Sequence, residues 1–189
     1  LLDEVNPDFI VNSAGITIRR GSENLDKAII LNSELPKKID VWCNSNNKRQ
    51  IHFSSDCIFT GGKGHYDDYD ISDATDNYGK TKANGEVNSN FTLTIRSSMI
   101  GREIFNKTEL LEWVISNKNL KIKGFDKVIY SGVTTLWMSK ILVKILREFN
   151  KLKGIYNISS EPISKHNLLK KINHYFDLNI DITNNPSIS

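Results

Sequence analysis

Three side chains in this sequence are of types that move a proton to or from an oxygen. Ser55 lies in Ser54-Ser55-Asp56-Cys57-Ile58-Phe59, just past a strand read at residues 50–54. Tyr78 and Lys82 follow in Asn77-Tyr78-Gly79-Lys80-Thr81-Lys82. Tyr-x-x-x-Lys spacing puts a phenol and an ammonium on one face of a helix, about 6 Å apart along its axis. A free tyrosine ionises near a pH of about 10, which makes it a poor base at neutrality. A fixed ammonium beside it favours the phenolate, and bringing the phenol to neutrality takes about 4 kcal/mol of such stabilisation. A serine hydroxyl arriving from a strand end can hydrogen-bond the same oxygen. The set suits proton transfer to or from a carbonyl or alcohol oxygen. On a solvated helix face the Tyr-Lys pair would do nothing, and the Ser-Ser-Asp at a strand end favours the chemical reading.

The elements that must position these residues follow from local signals. Residues 1–5 read as a helix end, stopped by Asn6-Pro7. Phe9-Ile10-Val11 reads as a strand buried on both faces of a parallel sheet. It runs into Asn12-Ser13-Ala14-Gly15, where small residues let a ligand approach the backbone. Residues 19–22 read as a loop. A helix is predicted over residues 24–46 with Ala28, Ile29, Leu35, Ile39 and Trp42 inward, bent or split at Pro36. A strand at 50–54 precedes a long loop at 55–76, whose Gly61-Gly62-Lys63-Gly64 and Asp67-Asp68-Tyr69-Asp70 read as flexible and solvated. Asp76 is placed to cap the helix carrying Tyr78 and Lys82. Further strands are predicted at 91–96, in two short pieces within 120–130 around Gly124, and at 154–159. Helices are predicted at 108–117, at 136–149, and from a Ser164 cap to Phe176; the tail from 178 is polar and ends in a strand. Strands alternating with helices argue for an α/β parallel sheet. Residues 1–119 read as one dinucleotide-type domain and 120–189 as a smaller substrate-facing region, with segments interleaved.

Composition excludes several classes. The 189 residues are 39% hydrophobic and 25% charged, with a net charge of +3, ordinary for a globular chain and too small for a nucleic-acid polymer as main partner. No apolar run approaches the roughly 20 residues a membrane helix needs. Leu1-Leu2-Asp3-Glu4 has no signal-peptide character, and Cys43 and Cys57 are in no metal spacing, so a reducing cytoplasm is the simple reading. His52, His65, His166 and His174 form no ligand pair, and the aspartates at 67, 68 and 70 lack EF-hand spacing, so no metal is assigned. Gly79-Lys80-Thr81 resembles the end of a P-loop, but Ala74 stands where that motif needs glycine.

Taken together, the motifs resemble the extended short-chain dehydrogenase/reductases, and within them the dTDP-4-dehydrorhamnose reductase family. The resemblance is carried by Val11-Asn12-Ser13-Ala14-Gly15, Asn32, Phe53-Ser54-Ser55-Asp56-Cys57-Ile58-Phe59, Asn77-Tyr78-Gly79-Lys80-Thr81-Lys82 with Gly85-Glu86, and Ile95-Arg96-Ser97-Ser98-Met99-Ile100-Gly101. Gly154-Ile155-Tyr156-Asn157-Ile158-Ser159 resembles the family's late strand. It implies a Rossmann-like parallel sheet with flanking helices and a small C-terminal substrate-binding subdomain. It implies NADP or NAD as cofactor, a 4-keto-6-deoxy nucleotide sugar as substrate, and a role in nucleotide-sugar and surface-polysaccharide synthesis. By the same resemblance Tyr78 is the general acid, Lys82 holds the nicotinamide ribose and tunes Tyr78, and Ser55 polarises the carbonyl. Ala14, Gly15, Thr17, Asn32 and Cys57 would line the cofactor, and Ser55, Asp56 and Met99 the substrate. Asn32 would brace the Lys82 region through a backbone carbonyl or water. The family opens with a strand and a Gly-x-x-Gly-x-x-Gly turn that this chain lacks. The resemblance therefore implies an N-terminally truncated fold and weak dinucleotide binding by these 189 residues alone. An epimerase of the same superfamily, a non-catalytic binding protein on the same fold, and a homodimer stay open; a dehydratase does not, because Cys57 stands where that class carries glutamate.

Overall fold

The computed structural model describes residues 1–17 and 24–185, so the loop read at 19–22 lies outside the described residues. The described chain forms two compact units. Residues 1–98 and 144–158 make the first, and residues 99–143 and 159–189 the second.

The first unit is built on four parallel strands in the order β1 (Phe9–Asn12), β2 (Arg49–Phe53), β3 (Thr92–Arg96), β8 (Gly154–Asn157). A short helix α1 (Leu2–Val5) precedes β1 and ends at Asn6 in the left-handed conformation. The parallel α/β reading of the sequence therefore holds. β1, however, lies at the sheet edge among the described residues, and Val11 is 39% exposed instead of buried on both faces. An edge strand has a neighbour on one side only, which leaves its apolar side chains partly uncovered.

In-register parallel strands point paired residues to the same face, and here the two faces differ sharply. Ile51, Leu93 and Ile95 make one face apolar. Asn12, Gln50, His52, Thr92, Thr94 and Arg96 make the other polar, and all six are buried. Several of its groups find partners on a helix or on the segment at residues 86–89, while the Gln50 amide and His52 Nε2 have none among the described residues. Asp40 accepts from Thr92 Oγ1 (2.6 Å) and Ser89 Oγ (2.5 Å). Thr94 Oγ1 donates to the Val87 carbonyl at 2.8 Å.

The helical run over residues 25–46 is continuous but changes pitch: α2 (Leu25–Ala28), a π turn (Ile29–Glu34), then α3 (Leu35–Asn46) with Pro36 in its first turn. Pro36 has no N–H and its ring would press on the carbonyl four residues back, that of Asn32. The widened turn relieves this. It also shifts the helix phase, so Asn32 and Ser33 are buried while Ile29, expected inward, is 38% exposed. Trp42, also expected inward, is half-buried and its indole N–H donates to Asp3 at 2.6 Å. Gly85 packs directly on the displaced Asn32 carbonyl, and a methyl there would overlap it. Gly85→Ala is therefore expected to cost stability near the upper end of the about 1–3 kcal/mol typical of overpacking. A urea titration reads this, and an unchanged midpoint would show that the turn yields freely.

Asp76 caps α4 (Asn77–Asn84) as expected, its Oδ1 accepting from the Gly79 N–H at 2.9 Å. The long loop before it is largely exposed, as its composition suggested, but it is held by a network of hydrogen bonds. Thr60 and Tyr66 both donate to Asp73, at 2.7 and 3.1 Å. Lys63 pairs with Asp70 at 2.5 Å, Phe59 stacks on Tyr66 at 4.2 Å, and Asp68 accepts from the Asn157 N–H at 2.5 Å. The acidic residues of this loop are spent on internal hydrogen bonds.

The second unit contains β4 (Met99–Ile100), α5 (Leu110–Ser116), β5 (Lys121–Gly124), β6 (Ile129–Tyr130), β7 (Val133–Thr134), β9 (Ile163–Ser164), α7 (Lys165–Tyr175) and β10 (Asp181–Asn184). The helix α6 (Thr135–Glu148) runs from it into the first unit. β5 pairs parallel with β10, and α5 and α7 close over them around Leu111, Val114, Ile122, Leu169, Ile172, Leu178 and Ile180. Ser164 caps α7 by accepting from the Asn167 N–H, as read from sequence.

Candidate active site

The C-terminal end of β2 turns at once into a 3-10 turn, Asp56–Ile58, because Ser55 caps it: Ser55 Oγ accepts from the Cys57 N–H at 3.1 Å. The start of α4 lies directly on this turn. A side chain at position 79 would collide with the Cys57 carbonyl, so Gly79 allows the helix end bearing Tyr78 to abut the turn bearing Ser55. One helical turn further on, Lys82 reaches back to β2, and its Nζ donates to the Phe53 carbonyl at 2.6 Å. The three residues singled out by spacing are thus gathered at one strand end, Tyr78 half-buried and Ser55 and Lys82 buried.

Electrostatics at this edge follow from burial. The Lys82 ammonium is pushed down to about 8 by desolvation, with the charge of Glu86 opposing the fall. Asp56 is raised by burial, against hydrogen bonds from Cys57, Ser98 and Ser55. The Cys57 thiol is pushed up to about 11 by burial and the nearby Asp56 charge, so it is protonated and inert at neutral pH.

Asn32 does more than the sequence implied. Its Oδ1 accepts from the Ile16 N–H (2.9 Å), and its Nδ2 donates to the Ile16 carbonyl (3.2 Å) and to Thr81 Oγ1 (3.1 Å). It pins the Gly15–Ile16 segment, through that segment's backbone carbonyl and N–H, to Thr81, the helix residue beside Lys82. Ser33 adds a 2.7 Å bond to the Thr81 carbonyl. Ala14, Gly15 and Thr17 are exposed beyond β1. Met99 is in the second unit, where it opens β4 and is 42% exposed.

A second set of residues was not singled out from sequence. Arg96 donates to both oxygens of Glu86, each at 2.8 Å, and Ser54 Oγ donates to Glu86 Oε1 at 2.8 Å. Arg96 also donates to the Asp68 and Asp70 carbonyls at 3.2 and 3.3 Å. The cluster ties β2, β3, the long loop and the end of α4 together. Its sequence signal was the alternation Thr92, Thr94, Arg96 between apolar Leu93 and Ile95.

Among the described residues no group of three or more His, Cys, Asp or Glu is gathered as for a metal, and no helix is long and apolar enough to cross a membrane.

Residues 1–112 match the family described as RmlD substrate binding domain. The chain belongs to this family. It is 26% identical over 172 residues to the dTDP-4-dehydrorhamnose reductase of Aggregatibacter actinomycetemcomitans, covering 86% of this chain and 58% of that one. Over 88 residues it is 33% identical to a probable low-salt glycan biosynthesis reductase, Agl14, of Haloferax volcanii, covering 46% and 29%. The chain thus spans 29% and 58% of the lengths of these two relatives. Among solved structures, the dTDP-4-dehydrorhamnose reductase of Bacillus anthracis in complex with NADP matches with a TM-score of 0.84 at 19% identity, covering 98% of this chain and 69% of that one. The shared fold is the RmlD-type Rossmann-like sheet with flanking helices.

Proposed function

We propose that the polypeptide carrying residues 1–189 reduces a 4-keto-6-deoxy nucleotide sugar with NAD(P)H. The observation that carries this reading is the buried Lys82 ammonium on the Phe53 carbonyl, at the strand end where the Ser55 turn meets the Tyr78 helix. The reductase names of the relatives and the NADP in the Bacillus anthracis enzyme support it.

The residues fit a nicotinamide nucleotide. A side chain at position 15 would stand 3.1 Å from Asn32 Oδ1 and 3.8 Å from Lys82 Nζ, so the bare Gly15 backbone lies close beside that amide and that ammonium. An ammonium carries three N–H donors, and Phe53 takes one. Lys82, Tyr78, Asn32, Ala14, Gly15, Thr17 and Cys57 are the residues assigned to the cofactor. NAD(P)H supplies the hydride when bound. Tyr78 gives its phenolic proton to the sugar's C4 oxygen as that oxygen gains charge. The Lys82 cation favours the phenolate left behind. Ser55 donates its hydroxyl hydrogen to the same oxygen, and Asp56 and Met99 are the further residues assigned to the substrate. The long loop and α4 are locked by Arg96 and Asn32, so these groups meet the substrate already oriented, which is where such donors act most strongly.

The test is loss of reduced-nicotinamide absorbance when the full polypeptide is given a nucleoside-diphospho 4-keto-6-deoxy sugar. Substrate-dependent oxidation of NADH or NADPH is expected, and Ser55→Ala should slow it by about 10²–10³. Absence of turnover with both cofactors would sink the assignment.

A further inference from the structure

His52 is fully buried on the polar face of the sheet, in register with Asn12 of β1. The Asn12 Nδ2 and His52 Nδ1 atoms are 3.3 Å apart. The other end of the Asn12 amide is already committed: its Oδ1 accepts from the Ala14 N–H at 3.2 Å. Only the carbonyl oxygen can accept there, so the amide nitrogen faces His52. That nitrogen is solely a donor. An Nδ1 that accepts from it is the bare nitrogen of a neutral ring, with the proton on Nε2. Burial and the Lys82 charge push the ring's pKa down to about 3, against a hydrogen bond with the Asn12 backbone that raises it, so the ring is neutral at neutral pH.

The backbone fixed by this chain of bonds is the Ala14–Ile16 segment, held by Asn12 at one end and by Asn32 at the other. His52 serves it at a cost. Its Nε2 is buried with no hydrogen-bond partner among the described residues. A leucine would fill the same space without that penalty, so packing alone does not account for an imidazole here.

We propose that His52 is a positioning residue for the cofactor, its Nδ1 orienting the Asn12 amide that holds the Ala14–Ile16 turn beside the Lys82 ammonium. It rests on the reading of this edge as an NAD(P)H site, and touches neither cofactor nor substrate itself.

Nitrogen-15 spectroscopy of the full polypeptide, without cofactor, tests the relay directly. His52 is expected as the neutral Nε2–H tautomer, and an Nδ1–H or charged ring at neutral pH overturns the proposal even if every variant misfolds. His52→Leu is expected to speed Ala14 amide exchange about tenfold, the equivalent of one lost neutral hydrogen bond. The same variant should weaken NAD(P)H binding about tenfold, with a greater effect on KM than on kcat. His52→Asn, which restores an acceptor near the Nδ1 position, should recover most of both losses. Unchanged exchange in folded His52→Leu, or a loss that His52→Asn does not recover, refutes the role. Wild-type protein that shows the stated tautomer and exchange but no NAD(P)H binding refutes the proposed function and leaves the His52–Asn12–Ala14 relay standing.

Discussion

Tyr78→Phe is expected to lower turnover by about 10²–10⁴, the range a positioned acid contributes, while leaving the fold intact. The phenyl ring keeps the shape and most of the packing of a half-buried side chain at the start of α4. What it loses is, among the described residues, the proton at this edge best suited to the substrate's C4 oxygen. Ser55 cannot replace it, because its oxygen already caps the Cys57 N–H and an alcohol is far too weak an acid. Cys57 is half-buried and its thiol is held up at about 11. Lys82 carries an acidic N–H but is buried and bonded to the Phe53 carbonyl. The loss should therefore fall on kcat, with KM for the sugar little changed, since the hydroxyl matters most when charge builds on the oxygen. Lys82 sets a second signature. With its pKa near 8, it loses its charge as pH rises through that value, and activity should decline there. Its stability effect has the opposite sense. The folded-state value lies below that of a free lysine, so between about 8 and 10.4 the unfolded chain holds the extra proton, and stability rises with pH. A Tyr78→Phe variant with a wild-type rate would remove the phenol from the mechanism.

Much of this architecture was legible in short-range signals. Asp76 and Ser164 announced helix starts because a cap is a local contact of side chain and backbone. Ser55, Tyr78 and Lys82 stood out because strand end and helical spacing suffice to bring them near one another. The π turn at Ile29–Glu34 was not legible. Pro36 signalled a break, but the form of the break depends on Gly85 receiving the Asn32 carbonyl, a contact between distant parts of the chain. The loop at 55–76 is exposed, as glycine and aspartate suggested, but the bonds by which Arg96, Lys63 and the Asn157 N–H claim its carbonyls and carboxylates were not legible. The polar face is the instructive case. Gln50, His52 and Ser54 alternate visibly, which ordinarily marks a solvated face. Here helices carrying Asp40 and Lys82, and Glu86 just past the second of them, cover it, and no single-strand pattern contains that information.

That covered face makes Arg96→Met the substitution with the largest expected effect on stability, a loss of about 3–5 kcal/mol. The Arg96 and Glu86 side chains are 6% and 8% exposed, and each oxygen of the carboxylate receives one guanidinium N–H. Methionine fills most of the volume but leaves a buried carboxylate with only the Ser54 hydroxyl to answer it. A domain's whole stability is about 5–15 kcal/mol, so the loss should appear as a large fall in the urea midpoint. The deficit belongs to the stranded charge more than to the missing attraction, because a buried pair repays little beyond its own desolvation. Arg96→Met/Glu86→Leu should consequently recover much of the stability that the single substitution loses. Recovery of fold need not restore function. Arg96 also holds the Asp68 and Asp70 carbonyls, and Glu86 is the acid whose charge opposes the fall of the Lys82 pKa. In the folded double variant the alkaline limb of the activity profile should therefore move below 8, since the ammonium would lose its nearby counter-charge. A double variant as unstable as the single one, or an alkaline limb that does not move, would show that the cluster acts through packing and not through charge.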